Sequence, residues 1–395
     1  MTSRLTILIV ARDAEATIAR AIRSTRWDAG GRLVLVDDHS EDRTVAHAKE
    51  AAGSLLRVLR APNPGGVSRA RQCALDAVDT EYAAWLDADD EWLPGRADRL
   101  VSALARGADV VSDGIELRDG PSQALLRTLI APAYIRRPGG ILRLFERNVL
   151  PGDTQVGFRT EAFRQAGGYD PAICGPESYD VLLRATRQGC RLAFLDETGY
   201  RMHAYPTSLS RNVERQTDML ARVLRKHEYE DVRRLYLDAG LGDRLARWAL
   251  IIVAVSRREP EAALWYLQDV ERHSESPDVV LDPDGPWPMP EGWRVDFYRG
   301  VALLMLGARD DEAVEALRRA EQQFPSAEGA NNLGVAFARL GRPEEARMCY
   351  AQALERFPGY ADAAVNAAMK GGRRVTAHPL RRQPARADYP LAQRT

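Results

Sequence analysis

Four short apolar runs, at residues 5–10, 32–37, 55–60 and 82–87, are separated by amphipathic stretches at 14–26, 41–52 and 67–78. Strands spaced by helical segments of this length lie parallel, because each crossover helix returns the chain to the same end of the sheet. The predicted fold class is α/β: a mostly parallel sheet flanked by helices. Residues 109–113 and 155–159 add strands, 177–188 a helix, and 191–194 and 199–203 two closing strands. Pro132, Pro138 and the Gly139-Gly140 pair break any regular period, so residues 119–150 read as a lid or insertion.

Beyond residue 210 the strand pattern stops. Residues 211–275 carry apolar positions three to four apart and read as a helical linker or bundle. A proline-rich connector spans 276–291. Over 292–370 an internal repeat follows: Gly300, Gly307 and Phe324-Pro325 find counterparts in Gly334, Gly341 and Phe357-Pro358, at offsets of 34 and then 33 residues. This resembles the tetratricopeptide repeat, a helix pair of about 34 residues whose small side chains permit close packing. The basic tail, 371–395, reads as disordered. A catalytic or binding domain is therefore expected at 1–210, with an all-α repeat domain behind it.

Fifty-five Lys and Arg balance 56 Asp and Glu, a formal charge of −1, so no global field favours nucleic acid or an anionic membrane. The four cysteines (Cys73, Cys174, Cys190, Cys349) form no CxxC pair and read as buried thiols of a reducing compartment. The apolar start is too short for a signal peptide, and no run approaches the ~20 residues of a spanning helix. A cytoplasmic protein without a transmembrane segment is expected.

Three segments at strand ends carry candidate chemistry. After the second strand, Asp37 and Asp38 can accept hydrogen bonds from a base N–H and from ribose hydroxyls, while Ser40 reads as the cap of the next helix. After the fourth, Asp87-Ala88-Asp89-Asp90-Glu91 puts four acids in five residues. They repel unless neutralised, and carboxylates with few other ligands suit Mg²⁺ or Mn²⁺ bridging a diphosphate. The third segment, Gly65-Gly66 to Arg71-Gln72, opens a helix, so N–H groups and Arg71 can face phosphate or base.

Together, Asp37-Asp38-x-Ser40, Ala70-Arg71-Gln72 and Leu86-Asp87-Ala88-Asp89-Asp90 with Trp92 and Pro94 resemble the family 2 inverting glycosyltransferases, of the A-type glycosyltransferase fold. The resemblance covers roughly residues 5–210. It implies that Ala11, Asp13, Asp37, Asp38, Arg71, Asp87 and Asp89 bind a nucleotide-sugar donor, a UDP-sugar foremost. It also implies that Asp89 and His203 hold the metal. The family's catalytic base sits in a Glu-Asp pair opening a late helix; here the pair reads Glu177-Ser178. Serine is no general base at neutral pH, so Glu177 and Asp180 are the candidates. Residues 119–150 would then face the acceptor.

The acceptor implied is a glycan, a lipid-linked sugar, a small molecule or a peptide. The repeats suggest a homodimer or a protein partner. Ser178 also admits a rival reading, a nucleotide-binding scaffold with an impaired transferase domain that acts through its repeats.

Overall fold

β1 (Leu5–Ala11) and β2 (Arg32–Asp37) are nearly continuous runs of leucine, isoleucine and valine buried on both faces, as central parallel strands require. The computed structural model describes residues 4–25, 32–62, 66–205, 213–273, 280, 285, 289–368 and 374–379. The chain forms two compact units, Met1–Val223 and Leu224–Thr395, so the first extends 13 residues beyond the expected boundary at 210.

In the first unit β3 (Leu56–Arg60), β2, β1 and β4 (Tyr82–Trp85) run parallel in that order across the sheet. The crossovers are α1 (Ile18–Ser24), α2 (Thr44–Ala52) and α3 (Val67–Asp76). The chain lays β2 and β3 on one side of β1 and then returns to lay β4 on the other. That reversal opens a crevice beyond the carboxyl ends of β1 and β4, where sheets of this kind take ligands.

The other half of the sheet is mixed. β8 (Val156–Arg159) lies antiparallel between β4 and β6 (Val110–Asp119), and β9 (Leu192–Ala204) runs parallel to β6. β5 (Glu91–Trp92) pairs with β9, and β7 (Leu125–Leu129) with β6. The α/β class holds, but half the strand pairings are antiparallel. The two closing strands expected at 191–194 and 199–203 are one strand. Asp196 and Glu197, which read as a break, sit in a register irregularity opposite Gly114.

Residues 119–150 do not form a loose lid. β7 hairpins back along β6, and Tyr134, Ile135, Leu142, Leu144 and Phe145 are buried. Burial of that much apolar surface, at roughly 1.5–3 kcal/mol per large side chain, ties the segment to the domain.

Under the loop after β4, Arg96 opens α4 (Arg96–Ala105) and meets Asp113 of β6 through two bonds, of 2.8 and 3.0 Å. Neither side chain has any solvent exposure. The guanidinium lies over the rings of Trp92 and Tyr200 and donates to the carbonyls of Gln155 and Trp85. Asp113 reaches so close to Gly199 that a Cβ there would stand 1.8 Å from its oxygen. One buried cation thus pins four strands around the acidic loop.

The second unit is helical. α7 (Val213–Leu224) ends at the division; α8 (Tyr229–Asp238), α9 (Asp243–Arg257) and α10 (Pro260–Arg272) follow. Most of the proline-rich connector lies outside the described residues. Then come the pairs α11 (Glu291–Leu306) with α12 (Asp310–Gln323) and α13 (Ala327–Arg339) with α14 (Pro343–Arg356), and α15 (Ala361–Ala368). Gly300 faces Leu317 and Gly334 faces Tyr350; in each pair an added Cβ would stand 2.5 Å from the facing side chain. The repeat glycines therefore set the helix spacing.

The tail is corrected in part. Residues 374–379 are seated on the repeats by side-chain hydrogen bonds, because buried asparagines there offer partners to its backbone. The rest of 371–395 lies outside the described residues. Of the four free cysteines only Cys349 is buried, the others being half-buried. Among the described residues, no helix is long and apolar enough to cross a membrane.

Candidate active site

The loop after β1 is stitched to the loop after β2. Asp13, at φ 49°, accepts the Glu41 N–H at 2.9 Å, and its own N–H donates to the Ser40 hydroxyl at 3.1 Å. Ser40 therefore does not cap the next helix. The N-cap is Arg43, without a side-chain cap, and Asp42 just before it accepts the Thr44 N–H at 2.8 Å. Asp37 accepts the Ser40 N–H, and Ala11 pairs with it across the strands. Asp38 differs from these. It is buried, its N–H bonds the Ala11 carbonyl, and its Oδ1 meets no hydrogen-bond partner. An orphaned buried carboxylate oxygen is costly unless a donor arrives from elsewhere.

The acids after β4 fall into different states. Asp87 faces Arg71 at 3.3 Å through one oxygen and accepts from Gln155 at 2.6 Å through the other. Asp90 is buried and accepts the His203 N–H at 2.8 Å; burial first, then the charges of Asp89 and Asp87, raise its pKa well above the ordinary value. Glu91 pairs with His203 at 2.9 Å and with Arg20 at 3.6 Å. Asp89, like Asp90, has no ion pair among the described residues, and Asp90 is held instead by a backbone N–H. Burial, then the charge of Asp87, pushes the Asp89 pKa up to about 6. Repulsion within the loop is therefore relieved only in part by the protein: Asp87 and Glu91 have counter-charges, and Asp89 and Asp90 do not form ion pairs among the described residues.

Arg71 is the hub that joins this loop to α6 (Glu177–Arg187). It is buried over Trp85, donates to the Ser178 hydroxyl at 3.0 Å, and faces Glu177 at 3.4 Å as well as Asp87. Burial works against its charge, but Glu177 and Asp87 outweigh that and raise its pKa. Glu177 accepts the Gly175 N–H at 2.8 Å. Burial raises its pKa, against the pull of Arg71. Asp180, with no exposure, is engaged by Arg184 at 2.7 Å, and that arginine also holds the Ala166 and Gly168 carbonyls. Asp180 thus anchors the helix, and Glu177 is the carboxylate that faces the network.

Residues 6–166 match the family model of glycosyl transferase family 2. This segment is a family 2 glycosyltransferase domain. Residues 249–328, 311–361 and 331–369 match a tetratricopeptide repeat model. The succinoglycan biosynthesis proteins ExoU and ExoO of Rhizobium meliloti are each 30% identical, over 219 and 220 residues. Those alignments cover 52% of this chain and 63% and 62% of the relatives, so the chain spans about three fifths of the length of the curated relatives it matches. Among solved structures, S. aureus TarS 1-349 in complex with UDP-GlcNAc has a TM-score of 0.53 at 15% identity. That match covers 81% of this chain and 91% of the other and shows a shared fold.

In the glycosyltransferase domain, no group of three or more His, Cys, Asp or Glu side chains among the described residues is arranged to hold a metal. A magnesium-type ion needs fewer, since one or two carboxylates suffice when substrate phosphates and water complete the shell. Asp89 fits that role as a half-buried carboxylate with no ion pair among the described residues. His203 fits as well. Its Nε2 is tied to Glu91, burial lowers its pKa and keeps the ring neutral, and its buried Nδ1 has no hydrogen-bond partner. A carboxylate behind an imidazole in this way turns the other ring nitrogen into a ligand lone pair.

Several site residues were not singled out from the sequence. Gln155 holds Asp87, Thr154 donates to Ser178 at 3.1 Å, and the Tyr200 hydroxyl accepts the Asp87 N–H at 3.0 Å. Arg20 reaches the Asp89 carbonyl at 2.6 Å. Gln155 and Tyr200 lie in expected strands, where alternation says only that they point to one face. A polar residue at the buried end of β8 is the signal that was available.

Proposed function

We propose that the chain transfers a sugar from a nucleotide-diphosphate donor, a UDP-sugar, to an acceptor hydroxyl with inversion. The observation that carries this is Asp89, a half-buried carboxylate with no ion pair among the described residues, in the loop after β4 at the crevice where the strand order reverses. Asp38, with its orphaned oxygen, accepts from the base or ribose. Arg71 holds Asp87 and Glu177 in place. Glu177 takes the acceptor's hydroxyl proton as the new glycosidic bond forms and the bond to the departing diphosphate breaks. Its raised pKa suits a base working near neutrality. Asp89 and His203 would hold Mg²⁺ or Mn²⁺, which when bound draws charge from the leaving nucleoside diphosphate.

The S. aureus TarS complex with UDP-GlcNAc supports UDP as the first nucleoside diphosphate to try. The succinoglycan biosynthesis relatives support a glycan as acceptor. The test is donor hydrolysis and thermal stabilisation over a panel of nucleotide sugars with Mn²⁺. Turnover that Asp89→Ala abolishes is expected; no response to any nucleoside diphosphate would overturn the reading. Ser178 favours a second reading, a nucleotide-binding scaffold, which predicts stabilisation by UDP without turnover of any donor.

A further inference from the structure

Residues Arg374–Pro379 lie along the repeat helices, held through their backbone. Arg374 donates its N–H to Asn366 Oδ1 and its carbonyl accepts from Asn366 Nδ2, both at 2.9 Å. Thr376 does the same with Asn332, at 2.8 and 2.9 Å. Asn331 Nδ2 adds bonds to the Arg374 carbonyl at 3.1 Å and to the Thr376 hydroxyl at 3.2 Å. A side-chain amide that meets both backbone groups of one residue reads main chain and not sequence. Contacts at every second residue require extended backbone, with the intervening Val375 and Ala377 facing the opposite way, and these two pack against the apolar core.

The spacing of the asparagines is that of the repeat. Asn332 and Asn366 are 34 residues apart, on α13 and α15. The same step back from Asn332 reaches Tyr298 on α11, whose hydroxyl meets His378 Nδ1 at 3.3 Å. One position of three successive repeats thus meets residues 378, 376 and 374 in turn. The bound segment runs against the repeats, advancing two residues per repeat. Ser256 closes the far end, 2.8 Å from His378 Nε2.

Asn331, Asn332 and Asn366 are at most 1% exposed with the segment in place. Lifting the segment would uncover a row of amides, each presenting a donor and an acceptor that any extended backbone can meet. We propose that this face of the repeats is a binding site for an extended peptide of a partner protein, occupied in cis by Arg374–Pro379 as a displaceable stand-in. The partner segment carries a small hydroxyl residue at the Thr376 place, small apolar residues beside it, and no proline where Asn332 and Asn366 need an N–H. This assignment is independent of the donor chemistry above.

The cis segment follows α15 after a short connection, so its effective concentration is on the order of millimolar. A free peptide must compete with that. The test uses the full chain and a labelled peptide of residues 373–380, followed by fluorescence anisotropy. Thr376→Pro removes the N–H and the hydroxyl and unseats the tail. That variant is expected to bind the peptide at least about tenfold more tightly than the unaltered chain. Adding Asn332→Ala is expected to abolish the gain, and a peptide with proline at the threonine place should not bind.

Equal binding by the unaltered and Thr376→Pro chains, or binding indifferent to Asn332→Ala, would overturn the proposal. So would self-association of the unaltered chain that Thr376→Pro abolishes, since the groove would then hold the tail of a second copy. Hydrogen exchange on the unaltered chain guards against misfolded variants. The Arg374 and Thr376 amides should be protected, and exchange at the unfolded-chain rate would refute the seating.

Discussion

Arg71 Nη1 donates to the Ser178 hydroxyl at 3.0 Å, at the place where the family pattern calls for an aspartate. The same guanidinium already faces Asp87 and Glu177. The serine satisfies a buried donor without adding a third carboxylate to one cation, and it leaves Glu177 to accept the proton. Glu177→Gln is expected to lower kcat by about 10²-fold or more while UDP still raises the melting temperature. Ser178→Ala should cost stability, about 1–3 kcal/mol for the unmet buried donor, and less than tenfold in rate. In the parent enzyme the acid limb of kcat should lie above the ordinary glutamate value of 4.5, because burial raises the Glu177 pKa. Parallel losses in both variants would assign the two side chains to scaffolding.

Asp38 is expected to act on the donor alone. Its buried Oδ1 has no partner within the protein, so Asp38→Ala removes nothing that the free fold uses there. Titration calorimetry should show UDP affinity falling about 10- to 100-fold, the equivalent of one charge-assisted hydrogen bond. Thermal stability without nucleotide should hold or rise. A variant that unfolds at lower temperature and binds UDP normally would refute this role.

Asp89 gives a pH signature. Its carboxyl ionises near 6 in the folded chain, against 3.8 ordinarily. Between those values the unfolded chain is the more ionised and binds fewer protons, so stability falls as pH rises from about 4 and levels off above 6. In EDTA, Asp89→Asn should therefore stabilise the protein at pH 7.5, by at most about 3 kcal/mol, and bring no gain near pH 4. Calorimetric scans at the two pH values check it. A gain equal at both would mean that charge burial is not the cause.

The parallel half of the sheet was legible because β1 and β2 are buried on both faces, and an apolar run carries that directly. The mixed half was not. Gly114 opposite residues 195–199 creates an irregularity that the local pattern shows as a chain break, and only pairing with β6 reveals one strand. The acid-rich loop could be located, but not the distribution of its charge, because Arg20, Arg71 and Gln155 reach it from three distant segments. Asn332 and Asn366 repeat at the period already visible in the glycines. Asparagine inside a helix reads as a weak helix former until the groove it lines is seen.

The repeat glycines supply a measure of how tightly the second unit is packed. A Cβ on Gly334 would stand 2.5 Å from the Tyr350 ring, and one on Gly300 equally close to Leu317. Alanine would favour the helix by about 1 kcal/mol in isolation. Tyr350 is buried and cannot swing into solvent, so the helices must part instead. Overpacking of that kind costs about 1–3 kcal/mol. Gly334→Ala is therefore expected to destabilise the chain in urea despite its propensity gain. Gln352→Ala, on an exposed face of α14, should change stability by less than about 0.5 kcal/mol. A stabilising Gly334→Ala would mean that α13 and α14 stand further apart than the repeat spacing requires.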